Sequence, residues 1–210
     1  CDATEKEIEE AINSGKIIRT HILRPTWHFV AAEDIHWMLD VSAPQVKRII
    51  LADTKKHGYD EKEFGKLNSA IEKILAGNNH LTRDEIIQEL NMKRATGEYH
   101  LSPVLIMMYA ELEGLVCNGI MKGKQMTYSL LEEKVPKPPT KLTKEEGLGK
   151  LAKLYFKSHG PATLSDFSWW SGFPATICKT VMNSISSELN SVEIDNQTYW
   201  FGTDLSLENN

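Results

Sequence analysis

The stretch that most constrains the fold is residues 101–131, whose pattern predicts a helix running directly into a two-stranded hairpin. Ser102 is a favourable N-cap, and Pro103 stands at the first helical position, where its missing N–H costs nothing. Apolar residues then follow at helical spacing: Val104, Leu105, Met108 and Leu112. Gly114 is expected to end the helix, and two strand-like runs flank a basic tip, Lys122-Gly123-Lys124.

The order helix, glycine, strand, basic tip, strand is the second half of a winged helix, in which the helix can lie in a DNA groove beside the hairpin. The first half is predicted just upstream. Thr82 and Glu85 form a capping box that opens a short apolar helix, and residues 91–100 are predicted to turn the chain toward Ser102. We therefore predict a winged helix at residues 78–135.

The same order recurs at both ends of the chain. Near the N-terminus, a Thr4/Glu7 capping box opens a helix that Gly15 ends, and a hairpin is predicted at 16–30. Near the C-terminus, residues 143–201 predict three helices, the last extending to Leu189, and a hairpin around Asp195-Asn196. The repeats predict a mainly α fold with small β-hairpins (α+β), built as tandem winged-helix (helix-turn-helix) repeats.

Four segments follow from this reading. Residues 1–32 are predicted as the C-terminal half of a first winged helix, 33–77 as a helical connector, 78–135 as one winged helix and 136–210 as another. Within the connector, helices are predicted at 33–39, at 44–56 with a start at Ser42 and Pro44, and at 60–76. The proline-rich residues 134–139 are the clearest linker.

The net charge of −5 argues against a strong nucleic-acid binder, because phosphate contacts need lysine and arginine. Three segments nevertheless lack acidic residues: 11–32, 114–131 and 167–187. Either these segments form basic surfaces, or they are buried elements that avoid acids in any case. No apolar run reaches the roughly 18 residues of a membrane span, and no signal-peptide pattern is present.

Three widely spaced cysteines predict neither a disulfide framework nor a metal site, so a reducing cytoplasm is expected. Cys117 and Cys178 are interpreted as small core residues. Since the chain begins at Cys1 rather than at methionine, we expect it to be part of a longer protein.

No catalytic signature such as a P-loop, GxSxG, GxGxxG or HExxH motif is present in the sequence. His21, His28 and His36 lie close in sequence, but surface or capping roles are commoner for histidine than a metal site. Residues 24–28 place a guanidinium, a hydroxyl, an indole and an imidazole together, either as a functional hairpin tip or as a tight turn with a packed Trp27. For the adjacent Trp169 and Trp170, one is expected to pack inward and the other toward a neighbouring repeat, with base stacking as the alternative.

Several segments together resemble the AlkZ-type bacterial winged-helix family, and the resemblance spans nearly the whole chain. The segments that carry it are Ile18-Arg19-Thr20, residues 23–30, Ala32-Glu33-Asp34-Ile35 with Trp37, residues 113–119, and residues 158–163 with Asp166-Phe167 and residues 169–172. That family includes DNA glycosylases that release alkylated bases, among them bases in interstrand crosslinks. The resemblance implies tandem winged helices around a DNA-binding cleft.

The resemblance also implies a catalytic Gln-x-Gln or Gln-x-Asp motif upstream of the Ile-Arg-Thr strand, and this chain begins after that point. None of its glutamines has Gln or Asp two positions on: Gln45, Gln88, Gln125 and Gln197. The family's C-terminal barrel is also expected to be absent or cut short. We therefore expect residues 1–210 to be inactive alone, with the first hairpin lying near the catalytic site of the intact protein.

The sequence thus predicts a DNA-binding fragment of a bacterial DNA-repair glycosylase, with no catalytic residue, metal or cofactor of its own. Its expected partner is double-stranded, damaged DNA, and a cytoplasmic monomer without membrane association is expected. The candidate DNA-binding residues are Arg19, Arg24, Thr26, His28, Lys122, Lys124 and Lys179. A transcription regulator is one alternative, although residues 104–113 contain no lysine or arginine, and a protein-interaction module is the other, which the acidic balance favours.

Overall fold

A computed structural model describes residues 3–91 and 101–205 of the chain. The chain forms two compact units, Cys1–Pro139 and Thr140–Asn210, which divide at the end of the proline-rich stretch. Within the described residues the protein is mainly helical, with small two-stranded antiparallel sheets, and the predicted α+β fold class is confirmed. The predicted turn at 92–100 lies outside the described residues, and the domain boundaries within the first unit stay a prediction.

The elements of the first unit are α1 (Glu5–Asn13), β1 (Ile17–Ile22), β2 (Arg24–Ala31), α2 (Ile35–Thr54), α3 (Glu61–Leu75), α4 (Arg83–Glu89), α5 (Pro103–Leu112), β3 (Val116–Lys122), β4 (Gln125–Leu130) and α6 (Leu131–Lys134). The predicted helix starts at Thr4, Thr82 and Ser102 are confirmed. In the second capping box, the Thr82 backbone N–H donates to Glu85 Oε2 at 2.6 Å, and the Glu85 N–H donates to Thr82 Oγ1 at 3.3 Å. Helix α5 ends before Gly114, whose φ of +67° is the left-handed conformation that favours glycine.

The prediction of two helices in the 33–56 region is wrong, because α2 is one helix with Pro44 inside it. Pro44 lacks only the N–H that would bond the carbonyl four residues earlier, and its exposed ring leaves the rest of the helix intact. Ser42 is not a cap. Its hydroxyl donates to the Met38 carbonyl at 2.7 Å and accepts the Leu23 N–H at 3.3 Å, which ties α2 to the first hairpin.

Helix α5 lies at the centre of the first unit and contacts α2, α3, β1 and β3. Every residue from Ile106 to Leu112 is buried, so the apolar residues surround the helix instead of forming one stripe. Val104, near the start of the helix, is 38% exposed. Helix α3 shares this core, because Phe64 is fully buried and its ring stacks on that of Tyr109 with centroids 4.0 Å apart.

The second unit contains α7 (Lys144–His159), α8 (Leu164–Ser171), α9 (Ala175–Ile185), β5 (Asn190–Ile194) and β6 (Gln197–Phe201). Helix α9 is shorter than predicted, because residues 186–188 form a 3₁₀ turn before the hairpin. Asp195 and Asn196 both have positive φ, at +51° and +60°, as the tight turn between β5 and β6 requires. Trp170 packs inward against Tyr155 with ring centroids 4.9 Å apart, whereas Trp169 is 76% exposed.

A common order of elements appears in both units: a helix, a short extended segment, two helices and a hairpin. In the first unit the extended segment pairs through Leu81 with Tyr128 of β4, and in the second through Ala162 with Trp200 of β6. The helix followed by a hairpin in each unit is the order that the sequence repeats predicted, whereas the extended segments were not predicted. Among the described helices, none combines the length and apolarity needed to cross a bilayer.

Candidate nucleic-acid interface

The first hairpin, β1 and β2, presents aromatic side chains to solvent. In its antiparallel register Arg19 lies opposite Phe29, and His21 lies opposite Trp27. Residues directly opposite each other in such a pair share a face, so these four side chains lie on the same face of the ribbon. Phe29 is 63% exposed and Trp27 is 43% exposed, an unusual degree of exposure for such large apolar groups. We call Arg19, Trp27 and Phe29 the hairpin face.

The Arg19 guanidinium lies against the Trp27 indole, with Cζ 4.3 Å from the ring centroid. This is a cation–π contact, which holds a long flexible side chain over an exposed ring. The backbone N–H of Arg19 donates to Asn118 Oδ1 at 2.7 Å, so β3 anchors the strand beneath the guanidinium. The Nε atom of Arg19 is buried and has no hydrogen-bond partner within the structure.

On the same face of the ribbon, His21 forms a buried acid–base pair with Glu111. His21 Nδ1 is hydrogen-bonded to Glu111 Oε2 of α5, and both side chains are almost completely buried. The expectation of a surface or capping role for His21 is therefore wrong. The His21 ring also contacts Trp27, with centroids 5.1 Å apart, so the hydrogen bond connects the core helix to the hairpin face.

Burial raises the pKa of Glu111, and the hydrogen bond from His21, with the nearby charge of Arg19 and the Trp27 indole, opposes that rise. The pKa of Tyr128 on β4 rises to about 12, chiefly through burial, with a further contribution from the charge of Glu111 and an opposing one from Arg19. The second carboxylate oxygen of Glu111, Oε1, has no hydrogen-bond partner. The acid thus remains incompletely paired in a site that excludes solvent.

The remaining candidates on the first hairpin have different positions. Arg24 begins β2 and is half-buried, and Thr26 is exposed. His28 lies opposite Thr20 and so on the other face from Trp27, and its Nδ1 lies 3.0 Å from the Thr26 carbonyl. Burial lowers the pKa of His28, with the charge of Arg24 adding to the effect. The ribbon therefore separates Arg19 from His28.

The lysines lie on other elements. Lys122 Nζ pairs with Glu85 Oε2 at 3.1 Å, so this candidate cation is already engaged by the α4 capping box. Lys124 is exposed at the tip of the second hairpin, and Lys179 is exposed on α9 of the second unit.

A cleft of about 310 Å³ in the first unit does not suit the anionic backbone of DNA. The charged residues that line it are three carboxylates and one lysine: Glu72, Glu113, Glu132 and Lys137.

No cluster of three or more potential metal ligands occurs within residues 3–91 and 101–205. Cys117 and Cys178 are buried, as predicted for core residues, and burial raises the pKa of Cys117 to about 11. Neither thiol is therefore an available nucleophile near neutral pH.

Sequence reasoning missed Glu111 and Phe29 as parts of this site. Glu111 is the lone charge within the apolar run of α5, and a charge isolated among core residues is itself a signal of a buried polar contact. Phe29 alternates with the buried Val30 along β2, so the period of the strand places it on the same face as Trp27. The counterpart of Glu111, by contrast, lies 90 residues away in sequence.

The geometry defines an α+β protein in which an arginine and two aromatic side chains share one face of a hairpin, next to a buried acid–base pair. A solved structure shares this fold, the Streptomyces sahachiroi DNA glycosylase AlkZ, with a TM-score of 0.72 at 16% sequence identity. The match covers 96% of this chain and 56% of that one, so the chain spans about half the length of the glycosylase. No curated protein matches the sequence.

The family model described as DNA glycosylase AlkZ-like matches residues 2–209. The chain therefore belongs to the AlkZ-like DNA glycosylase family.

Proposed function

We propose that this chain is the DNA-binding part of a DNA-repair glycosylase, and that its hairpin face contacts the duplex. The observation that carries the proposal is the cluster of the half-buried Arg19 with the exposed Trp27 and Phe29 on one face of the first hairpin, next to the buried His21–Glu111 pair. Family membership supports the DNA-repair role. The tandem winged-helix arrangement, the candidate DNA-binding residues and the segment boundaries named above remain parts of this proposal.

The hairpin face has the chemistry that a distorted duplex requires. A guanidinium binds phosphate oxygens through its forked N–H donors, and exposed aromatic rings can stack on unpaired bases or fill the space that a displaced base leaves. A glycosylase needs both functions, because the target base must leave the stack before its bond to the sugar can be hydrolysed. The damaged, double-stranded substrate is therefore proposed together with the hairpin contact.

The 210 residues contain no Gln-x-Gln or Gln-x-Asp pair, so hydrolysis is assigned to the complete protein and DNA binding to this part of it. We propose that residues 1–210 alone bind a duplex without releasing a base. The protein is proposed to act as a monomer in the bacterial cytoplasm, where the chromosome lies.

The alternative function, that of a transcription regulator, has less support than a role in DNA repair. Such a regulator would insert α5 into the major groove, yet residues 106–112 of that helix are buried in the core of the first unit. Within α5 only its first two residues, Pro103 and Val104, are exposed.

The test uses the complete protein and a duplex that carries an alkylated purine, with free base measured by chromatography. We expect base release that the removal of the upstream glutamine pair abolishes.

A second experiment measures the binding of an undamaged duplex. Arg19→Met should weaken binding and reduce the salt slope, the slope of log affinity against log salt concentration, by about 0.9, the value for one phosphate contact. Lys66→Met, which removes a charge paired with Glu63 on α3, is the matched control and should leave the slope unchanged. Absent or salt-independent binding by the unmodified protein would refute the proposal.

A further inference from the structure

The buried carboxylate of Glu111 is an energetically unfavourable feature that no part of the proposed reaction yet uses. Its side chain is completely buried, and it stands in the last turn of α5, where the helix dipole disfavours negative charge. One of its oxygens has no hydrogen-bond partner. A carboxylate in this position attracts any cation that can reach it, because low polarity strengthens Coulomb interactions.

Two candidate cations lie on the adjacent strand. Arg19 and His21 are two residues apart on β1, on the same face, and both interact electrostatically with Glu111. Among the described residues, the other ionisable groups that sense Glu111 are Tyr128 on β4 and Cys117 on β3, and neither is a cation. Arginine is ordinarily the better partner for a carboxylate, since its donors form two parallel hydrogen bonds.

The structure shows the opposite pairing. His21 holds the hydrogen bond to Glu111, whereas the Arg19 guanidinium lies over the Trp27 ring and its Nε atom stays unpaired. A hydrogen bond between a ring nitrogen and a carboxylate oxygen requires one proton between them, whichever group owns it. Because His21 already occupies Oε2, Arg19 could form its two parallel hydrogen bonds with the carboxylate only by displacing the histidine ring.

We propose that His21 is a positioning residue for the DNA contact: by occupying the Glu111 carboxylate, it prevents Arg19 from folding inward and keeps the guanidinium on the hairpin face, available to a DNA phosphate. This inference rests on the proposed function. It assigns the buried pair a role in affinity that the exposed residues alone do not reveal.

The experiment measures the binding of a short fluorescein-labelled, undamaged duplex to the complete protein by anisotropy, over a series of salt concentrations. In His21→Gln the ring nitrogen that occupies Oε2 of Glu111 is lost, so Arg19 is expected to turn inward and pair with the carboxylate. The expected result is a salt slope reduced by about 0.9 and an affinity lowered about tenfold at 0.1 M salt, the loss of one phosphate contact.

The double variant His21→Gln/Glu111→Gln removes the competing charge and should restore both the slope and the affinity. A structural defect caused by His21→Gln would not be rescued in this way. His36→Gln is the matched control, because His36 is a half-buried histidine bonded to the Val135 carbonyl at 2.8 Å, away from Glu111, and it should leave the slope unchanged.

An unchanged slope in His21→Gln, or a double variant that binds no better than the single one, would overturn the inference while leaving the proposed function standing. Absent or salt-independent binding by the unmodified protein would overturn both. If His21→Gln does not fold by circular dichroism, Glu111→Gln alone decides the question. Its neutral amide should leave the slope at the unmodified value, and a slope reduced by one phosphate contact would refute the role of the pair.

Discussion

The substitution Phe64→Ala tests whether α3 and α5 share one core. Phe64 is fully buried and stacks on Tyr109 at a centroid distance of 4.0 Å. Removing a buried phenyl ring costs about 3–5 kcal/mol, through lost transfer free energy and the cavity that remains. Because each 1.4 kcal/mol is a factor of ten, the equilibrium constant for opening α5 should rise by about 10²- to 10⁴-fold.

Hydrogen exchange of the α5 backbone amides, followed by mass spectrometry, measures this constant directly. Phe29→Ala is the matched control, since the same atoms are removed from a side chain that is 63% exposed, and its effect should stay within about 0.5 kcal/mol. If Phe64→Ala accelerated exchange in α5 less than about tenfold, or no more than Phe29→Ala did, α3 would not pack on α5 as described.

Four further substitutions probe local features. A Cβ atom on Gly119 would overlap the Thr127 hydroxyl and lie 2.6 Å from His80 Nδ1, so Gly119→Ala should lower the thermal midpoint of unfolding. Gly65 lies inside α3, where a Cβ atom would meet no other atom within 4 Å. Gly65→Ala should therefore raise the free energy of unfolding in urea by about 0.5–1 kcal/mol. Thr143→Ala should cost about 1 kcal/mol through loss of the cap. Lys134→Met should lower stability by about 1–3 kcal/mol in urea unfolding, because Nζ donates to two backbone carbonyls at 2.9 Å each that would lose their partner.

The pH dependence of the Thr143 cap follows from its partner. Hydrogen bonds from the Thr143 backbone N–H and hydroxyl lower the pKa of Glu146 below its ordinary value of 4.5. The folded state therefore binds this proton less readily, so the stabilisation is present above that ordinary value and is lost as the pH falls through the lower folded value. In a plot of the thermal midpoint against pH, Thr143→Ala should reduce the loss of stability at acid pH only in part. The backbone N–H, which lowers the pKa of Glu146 more than the hydroxyl does, remains in the variant. An unchanged loss of stability at acid pH would contradict the hydroxyl's contribution.

Local signals in the sequence were sufficient for most elements of the fold. Thr82 with Glu85, and Asp195 with Asn196, determine a helix start and a tight turn through contacts within a few residues, so their patterns predict the structure directly. Pro44 misled the prediction because an exposed proline removes a single hydrogen bond from α2, which the packing of its buried face outweighs.

The candidate site was only partly predictable. Residues 24–28 were identifiable because a guanidinium and aromatic groups lie together near a hairpin tip, and Arg19 was identifiable through the family resemblance of Ile18-Arg19-Thr20. The roles of His21 and Glu111 depend on a contact between residues 90 positions apart, and no local pattern indicates which buried acid a histidine will meet. The availability of Lys122 at the predicted basic tip likewise depends on tertiary structure, since its ion pair with Glu85 forms only when the hairpin folds against α4.

The central claim is that the hairpin face lies on DNA in the complete protein. Replacement of Phe29 by a photoreactive benzoylphenylalanine, followed by irradiation with a labelled duplex, tests it most directly. The same replacement at Ile49, which is 60% exposed on α2, is the matched control. The account predicts a covalent protein–DNA product from position 29 that high salt suppresses, and none from position 49. A product from position 49 alone, or none from either position while the duplex remains bound, would contradict it.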